Sequence, residues 1–159
     1  FFFKQKTAYE ISTRDWSSDV CSSDLDLAVV GAGAAGISAA VEAARLGLSV
    51  VLLDALPQIG GQSVNGLLGT LCGWFSAGPP FAHLQYGFAH DLVADLHAAG
   101  ALALRRARGT VIGLYDEWAL AATYAQHLQR AGVQVLLGAT VLAVECDGDR
   151  VARARAVTR

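Results

Sequence analysis

Gly31-Ala32-Gly33-Ala34-Ala35-Gly36 constrains this chain more than any other stretch. It follows the apolar run Asp26–Val30 (DLAVV) and precedes Ile37–Leu46 (ISAAVEAARL), which is made mostly of helix formers. Gly47 stops that helix. Ser49–Leu53 (SVVLL) is a second apolar run, with Asp54 at its C-terminal end. Short unbroken apolar runs suit parallel strands buried on both faces. The expected fold class is therefore α/β, built on a strand–helix–strand unit of about 30 residues. That context makes a GxGxxG run specific for a dinucleotide.

Each glycine has a physical role in such a unit. Gly31 permits the tight turn out of the first strand, Gly33 lets the backbone approach a pyrophosphate, and Gly36 lets the helix pack close to the strand. The start of the helix offers free N–H groups and a positive dipole end to phosphates. Ala40 and Gly47 extend the pattern with further small residues. Asp54 lies 18 residues past Gly36, placed to accept hydrogen bonds from an adenosine ribose, and its charge disfavours a 2′-phosphate.

The segment before this unit has a different character. DWSSDVCSSDL, residues 15–25, holds four serines, three aspartates and a cysteine without periodicity. It back-translates to DNA resembling a sequencing-library adapter, and KQKTAYEI, residues 4–11, to DNA resembling the outer primer of the same library. Residues 1–25 are therefore expected to be a non-native, adapter-derived segment without ordered structure, and are set apart from fold reasoning. Composition places the boundary independently. Both lysines precede residue 26, whereas all nine basic residues after it are arginine.

Asp26–Arg159 is long enough for one domain, and its nine arginines against ten carboxylates leave a charge of −1. No nucleic-acid or anionic-membrane partner follows from that balance. Cys72 and Cys146 lack CxxC spacing, so neither a metal site nor a disulfide framework is expected; two reduced, buried thiols are. The apolar stretch Leu27–Leu56 contains Glu42 and Arg45 and is broken by four glycines, which excludes a membrane span. A reducing cytoplasm is the default location.

After Asp54 the chain reads ALPQIGGQSVNGLLGTLCGWFSAG. The adjacent Gly60 and Gly61, followed by Gln62, permit a second close backbone approach, suited to a ligand larger than ADP-ribose. The run VVGAGAAGISAAVEAARLGLSVVLLDALPQIGGQSVNG resembles the N-terminus of FAD-dependent oxidoreductases of the glutathione-reductase-like superfamily. HDLVADLHAAGAL and YDEWALAATYAQHLQRAGVQVLLGATVLAVECDGDRVARARAVT extend that resemblance over nearly all of residues 26–159.

The resemblance implies a Rossmann-like FAD/NAD(P)-binding domain: a parallel sheet flanked by helices, plus a small β-hairpin or meander. It implies FAD as cofactor, NAD(P)H as a possible electron donor, a small-molecule substrate, and hydride transfer through the flavin in a bacterial parent enzyme. Gly31, Ala32, Gly33, Ala35 and Gly36 would line the pyrophosphate. Asp54, with Ala55 beside it, would meet the adenosine ribose. Gly60, Gly61 and Gln62 would lie along the pyrophosphate and ribityl chain, and the Val141 backbone would meet the adenine edge. The family commonly carries Glu at the Asp54 position and often a basic residue where Ala55 stands. In that family a further strand and a Gly-Asp motif follow, so the chain is expected to be an N-terminal part, incomplete at its C-terminus, with strand 27–30 left at a sheet edge. An NAD-binding dehydrogenase domain and a non-catalytic flavin- or nucleotide-binding module remain as alternatives.

Further along, Phe81–Ala99 has helical spacing through Leu84, Phe88, Leu92 and Leu96, with Gly100 as a stop. Leu102–Gly113 is ambiguous, its RRAR expected in a solvated loop. Asp116 is a candidate N-cap for a helix through Ala131, stopped by Gly132. Val133–Leu137 reads as another strand, and 140–146 and 150–158 as a hairpin about DGD. Cys72 is a weak candidate for redox chemistry. His83, His90, His97 and His127 show no diagnostic spacing.

Overall fold

The computed structural model describes residues 25–107 and 109–158. The expectation for the adapter-like segment thus lies outside the described residues, except at Leu25. In chain order the elements are β1 (Leu27–Val30), α1 (Ala34–Arg45), β2 (Val50–Asp54), α2 (Gln62–Asn65), β3 (Thr70–Leu71) and α3 (Phe88–Ala98). Then come β4 (Leu102–Ala107), β5 (Thr110–Tyr115), α4 (Glu117–Ala131), β6 (Gln134–Leu137), β7 (Ala139–Asp147) and β8 (Arg150–Thr158).

Three strands form the parallel sheet expected from the sequence, in the order β1-β2-β6. Leu27 pairs with Val50 and Val30 with Leu53; Val51 pairs with Gln134 and Asp54 with Leu137. The centre, β2, is covered on both faces. On one side Val50 and Leu52 pack against a helical layer, with Ile37, Ala40 and Val41 from α1 and Leu120, Tyr124 and Leu128 from α4. Burying an aliphatic side chain of this size stabilises by about 1.5–3 kcal/mol. On the other side Val51 and Leu53 meet Ala139, Val141 and Ala156 of the β7–β8 hairpin.

The edge position of β1 alters one expectation. It was to be buried on both faces, but Ala28 and Val30 are exposed, Val30 to 64%. Only Leu27 and Val29 join the helical core, because the hairpin covers β2 rather than β1. Among the described residues β2 is its sole ladder partner.

Helix α4 forms where its caps dictate. Asp116 Oδ1 accepts from Ala119 N at 2.8 Å, and Gly132 closes the helix in the left-handed region at φ +74°. Helix α3 starts later than expected, at Phe88 after Gly87 (φ +64°). Residues 74–84 fold back on themselves instead: Leu84 N donates to Trp74 O and Ser76 N to Ala82 O. Leu84 is consequently exposed rather than part of a helical stripe.

The ambiguous stretch forms a second sheet, ordered β3-β5-β4. Arg105 and Arg106 are strand residues opposite Ile112 and Val111, not loop residues, because the ladder continues to Ala107 and Thr110. Arg108 lies outside the described residues. The expected buried thiols are also corrected: Cys72 and Cys146 are free but exposed, since β3 ends beside an open loop and β7 runs out beyond the sheet it covers.

Candidate dinucleotide site

The C-terminal ends of β1 and β2 converge on the glycine turn. Gly31 N donates to Leu53 O at 2.7 Å, and Gly31 adopts φ +108°, a conformation that side chains rarely take. Gly33 is the N-cap of α1, in extended conformation (φ −80°, ψ −179°), and no side chain caps this helix. Its first turn contains no acidic residue. The leading amides of α1 and the positive end of its dipole are thus left for an external anion.

Gly36 shows why this position tolerates no side chain. A Cβ there would stand 1.8 Å from Gly31 O. The helix can start this close to the strand only without it. Gly33 differs: a Cβ there meets nothing within 4 Å, so protein packing does not require glycine at this position. The space beside its backbone is open.

Asp54 closes the turn from the second strand. Its Oδ2 accepts from Ala32 N at 2.5 Å and its Oδ1 from Leu56 N at 2.8 Å. The carboxylate is therefore oriented by backbone on both sides. Each oxygen retains a second lone pair for a ribose hydroxyl. Gly138 N donates to Leu56 O at 3.1 Å, bringing the start of β7, and hence the strand carrying Val141, back to this end of the sheet. Ala55, next to Asp54, is exposed.

The second glycine pair comes to the first. Gly60 N donates to Ala32 O at 2.7 Å, and Gly33 and Gly60 form an isolated parallel bridge. Gly60 and Gly61 both have positive φ, +99° and +50°, and a Cβ on Gly61 would reach within 2.9 Å of Gly33 Cα. Two glycine-lined backbones thus touch, and Gln62 opens α2 directly after them, exposed. Such a cradle fits a long diphosphate cofactor.

Residues 26–159 match the family described as FAD dependent oxidoreductase. The chain belongs to this family. FAD is the cofactor of this family. Over 65 residues the chain is 43% identical to NADH:acrylate oxidoreductase of Vibrio harveyi, covering 41% of the chain and 6% of that protein. Over 39 residues it is 59% identical to a ferredoxin–NADP reductase of Salinispora tropica, covering 24% of the chain and 12% of that protein. The matches thus span only 6% to 12% of these curated relatives. Among solved structures, an L-amino acid deaminase from Proteus vulgaris carrying a deletion superposes with a TM-score of 0.57 at 12% identity, over 83% of this chain and 49% of that one; the likeness is one of fold.

The structure does not assemble the other candidates into one centre. Cys72 follows β3 with an exposed thiol. His83 and His90 stack edge-to-face at 5.1 Å, with Trp74, Phe75 and Tyr86 around His83. His127 is buried against Phe88, its Nε2 3.1 Å from Asp95 Oδ2. Burial holds its pKa below the ordinary histidine value, partly opposed by Asp95. Among the described residues, no group of three or more His, Cys, Asp or Glu stands together as metal ligands, and no helix is long and apolar enough to cross a membrane.

Sequence reasoning missed the hydroxyl groups beneath the second glycine pair. Ser63 Oγ donates to Gly60 O at 2.6 Å, Tyr115 Oη donates to Ser63 O at 2.6 Å, and Tyr124 Oη lies 3.4 Å from Ser63 Oγ. The two tyrosines are 52 and 61 residues from Ser63. The one local signal is a serine directly after GGQ; nothing local identifies its partners.

Proposed function

We propose that residues 26–159 hold the ADP portion and ribityl phosphate of FAD in an oxidoreductase that reduces or oxidises a small molecule, with NAD(P)H as a donor. The observation that carries this reading is the uncapped N-terminus of α1 at Gly33, beside open space and in contact with the Gly60–Gly61 backbone. The names of two matched relatives, an NADH:acrylate oxidoreductase and a ferredoxin–NADP reductase, support a nicotinamide partner. The parent protein is bacterial and cytoplasmic in this reading, and its native part starts at Asp26, where the family match also begins.

The chain's own residues do the binding. The backbone of Gly31, Ala32, Gly33, Ala35 and Gly36 receives the diphosphate, whose charge the amides and dipole of α1 stabilise. Asp54 accepts from the ribose hydroxyls, and the short side chain of Ala55 leaves the adenosine edge open. Val141 contributes backbone on the adenine side. Gly60, Gly61 and Gln62 follow the pyrophosphate toward the ribityl chain. Bound FAD would supply the two-electron chemistry.

The test is a titration of the purified, deflavinated protein with FAD, followed by absorbance and by quenching of flavin fluorescence. Saturable one-to-one binding of FAD, tighter than that of NADH, is expected. Tight NADH binding with no FAD binding would replace this reading with an NAD-binding dehydrogenase domain.

A further inference from the structure

We infer that Tyr115 and Tyr124 are positioning residues for FAD, holding the Gly60–Gln62 backbone at the height of the GxGxxG turn through their hydroxyls and Ser63. The inference rests on the proposed FAD site and specifies what keeps its second half in place.

The loop cannot hold itself. Gly60 and Gly61 take consecutive positive φ values, and glycine enters such conformations at the expense of a large backbone freedom in every other state. Helix α2, which follows, is four residues long and has no side-chain cap. Its attachment comes from two distant elements. Tyr115, the last residue of β5, donates to Ser63 O at 2.6 Å. Tyr124, in the middle of α4, reaches Ser63 Oγ at 3.4 Å, and that hydroxyl donates to Gly60 O at 2.6 Å. From Gly60 the connection passes directly to the phosphate turn through Gly60 N and Ala32 O at 2.7 Å.

The burial of the two rings separates packing from positioning. Tyr115 is 7% exposed and Tyr124 2%. Tyr124 stacks on Phe88, with ring centroids 6.2 Å apart. Phenylalanine would fill the same space without burying a hydroxyl, which is costly unless it is bonded. The bonds that satisfy both hydroxyls go to Ser63, on the glycine loop. Burial pushes both phenols above their ordinary pKa, so they remain protonated and able to donate through the neutral range.

Tyr115→Phe, Tyr124→Phe and Ser63→Ala, each in the full chain, test this by parallel titrations with FAD and with AMP. AMP reaches the Gly31–Gly36 turn and Asp54 but not the ribityl side. Tyr115→Phe is expected to weaken FAD binding about tenfold, the equivalent of one hydrogen bond, and to leave AMP binding within about twofold. Tyr124→Phe, with its longer contact, is expected to weaken FAD about threefold. Unchanged FAD affinity in Tyr115→Phe, or equal losses for FAD and AMP, would overturn the inference. Should Tyr115→Phe not fold, Ser63→Ala carries the comparison for the other branch, because it removes the Oγ that joins Tyr124 to Gly60 while keeping the carbonyl that Tyr115 bonds; equal losses for FAD and AMP there would also overturn the inference. An unsubstituted chain that binds AMP but no FAD would instead overturn the proposed function.

Discussion

Two alanine substitutions three residues apart separate a glycine required by the protein from a glycine required by the ligand. At Gly36 an added Cβ lies 1.8 Å from Gly31 O, and the neighbouring backbone must move about 1.2 Å to reach even a 3.0 Å contact. Alanine inside a helix gains about 1 kcal/mol over glycine. Overpacking against backbone costs about 1–3 kcal/mol or more, so the clash wins. Gly36→Ala should lower the melting temperature by a few degrees, roughly 2–4 °C per kcal/mol lost for a domain of this size, and weaken FAD binding with it. At Gly33 the backbone is extended, at φ −80°, and an added Cβ meets nothing within 4 Å. Gly33→Ala should therefore leave the melting temperature nearly unchanged. In the bound state the same Cβ occupies the diphosphate cradle, at a cost of about 1–3 kcal/mol, or about five- to hundredfold in affinity. Thermal denaturation by circular dichroism reads the first quantity and FAD titration the second. Gly33→Ala binding FAD as well as the parent would refute the cradle, and Gly33→Ala unfolding as readily as Gly36→Ala would refute the assignment of open space.

Three further outcomes are expected. Glu42 of α1 caps a different helix: its Oε1 accepts from Phe88 N, the first residue of α3, while Arg45 bonds the same oxygen at 3.2 Å. Glu42→Ala should cost about 1 kcal/mol, seen as a lower urea midpoint with unchanged slope, and an unchanged midpoint would show that α3 does not need this cap. His127 has a folded pKa below the unfolded value of 6.5, so the unfolded chain binds its proton first as the medium is acidified. Its contribution is complete above pH 6.5 and is lost as pH falls below it; His127→Gln should flatten that part of a melting-temperature profile, and an unaltered slope would assign it to another group. Val30, 64% exposed on β1, presents an apolar residue at a sheet edge that no described strand covers. Val30→Lys should reduce self-association in size-exclusion chromatography, and no change in the elution profile would place the sticky surface elsewhere.

The parts of this protein legible from sequence are those written in local code. Gly31, Gly33 and Gly36 between two apolar runs, Asp116 and Gly132 around α4, and the turn between β7 and β8 all act through neighbours a few residues away. Their conformational preferences are properties of the chain itself, so the parallel strands β1, β2 and β6 and the glycine turn between β1 and α1 could be read without coordinates. Tertiary structure decided the rest. Arg105 and Arg106 became strand residues because β5 supplied a partner ladder, and Leu84 left the expected helix because Trp74 O accepted its amide. Asp54 turned inward to the amide of Ala32, 22 residues away, and Tyr115 and Tyr124 reached Ser63 across more than 50 residues. Such contacts leave no periodicity or spacing behind, because a hydroxyl or carboxylate finds its backbone partner only after the apolar faces have chosen which elements lie together.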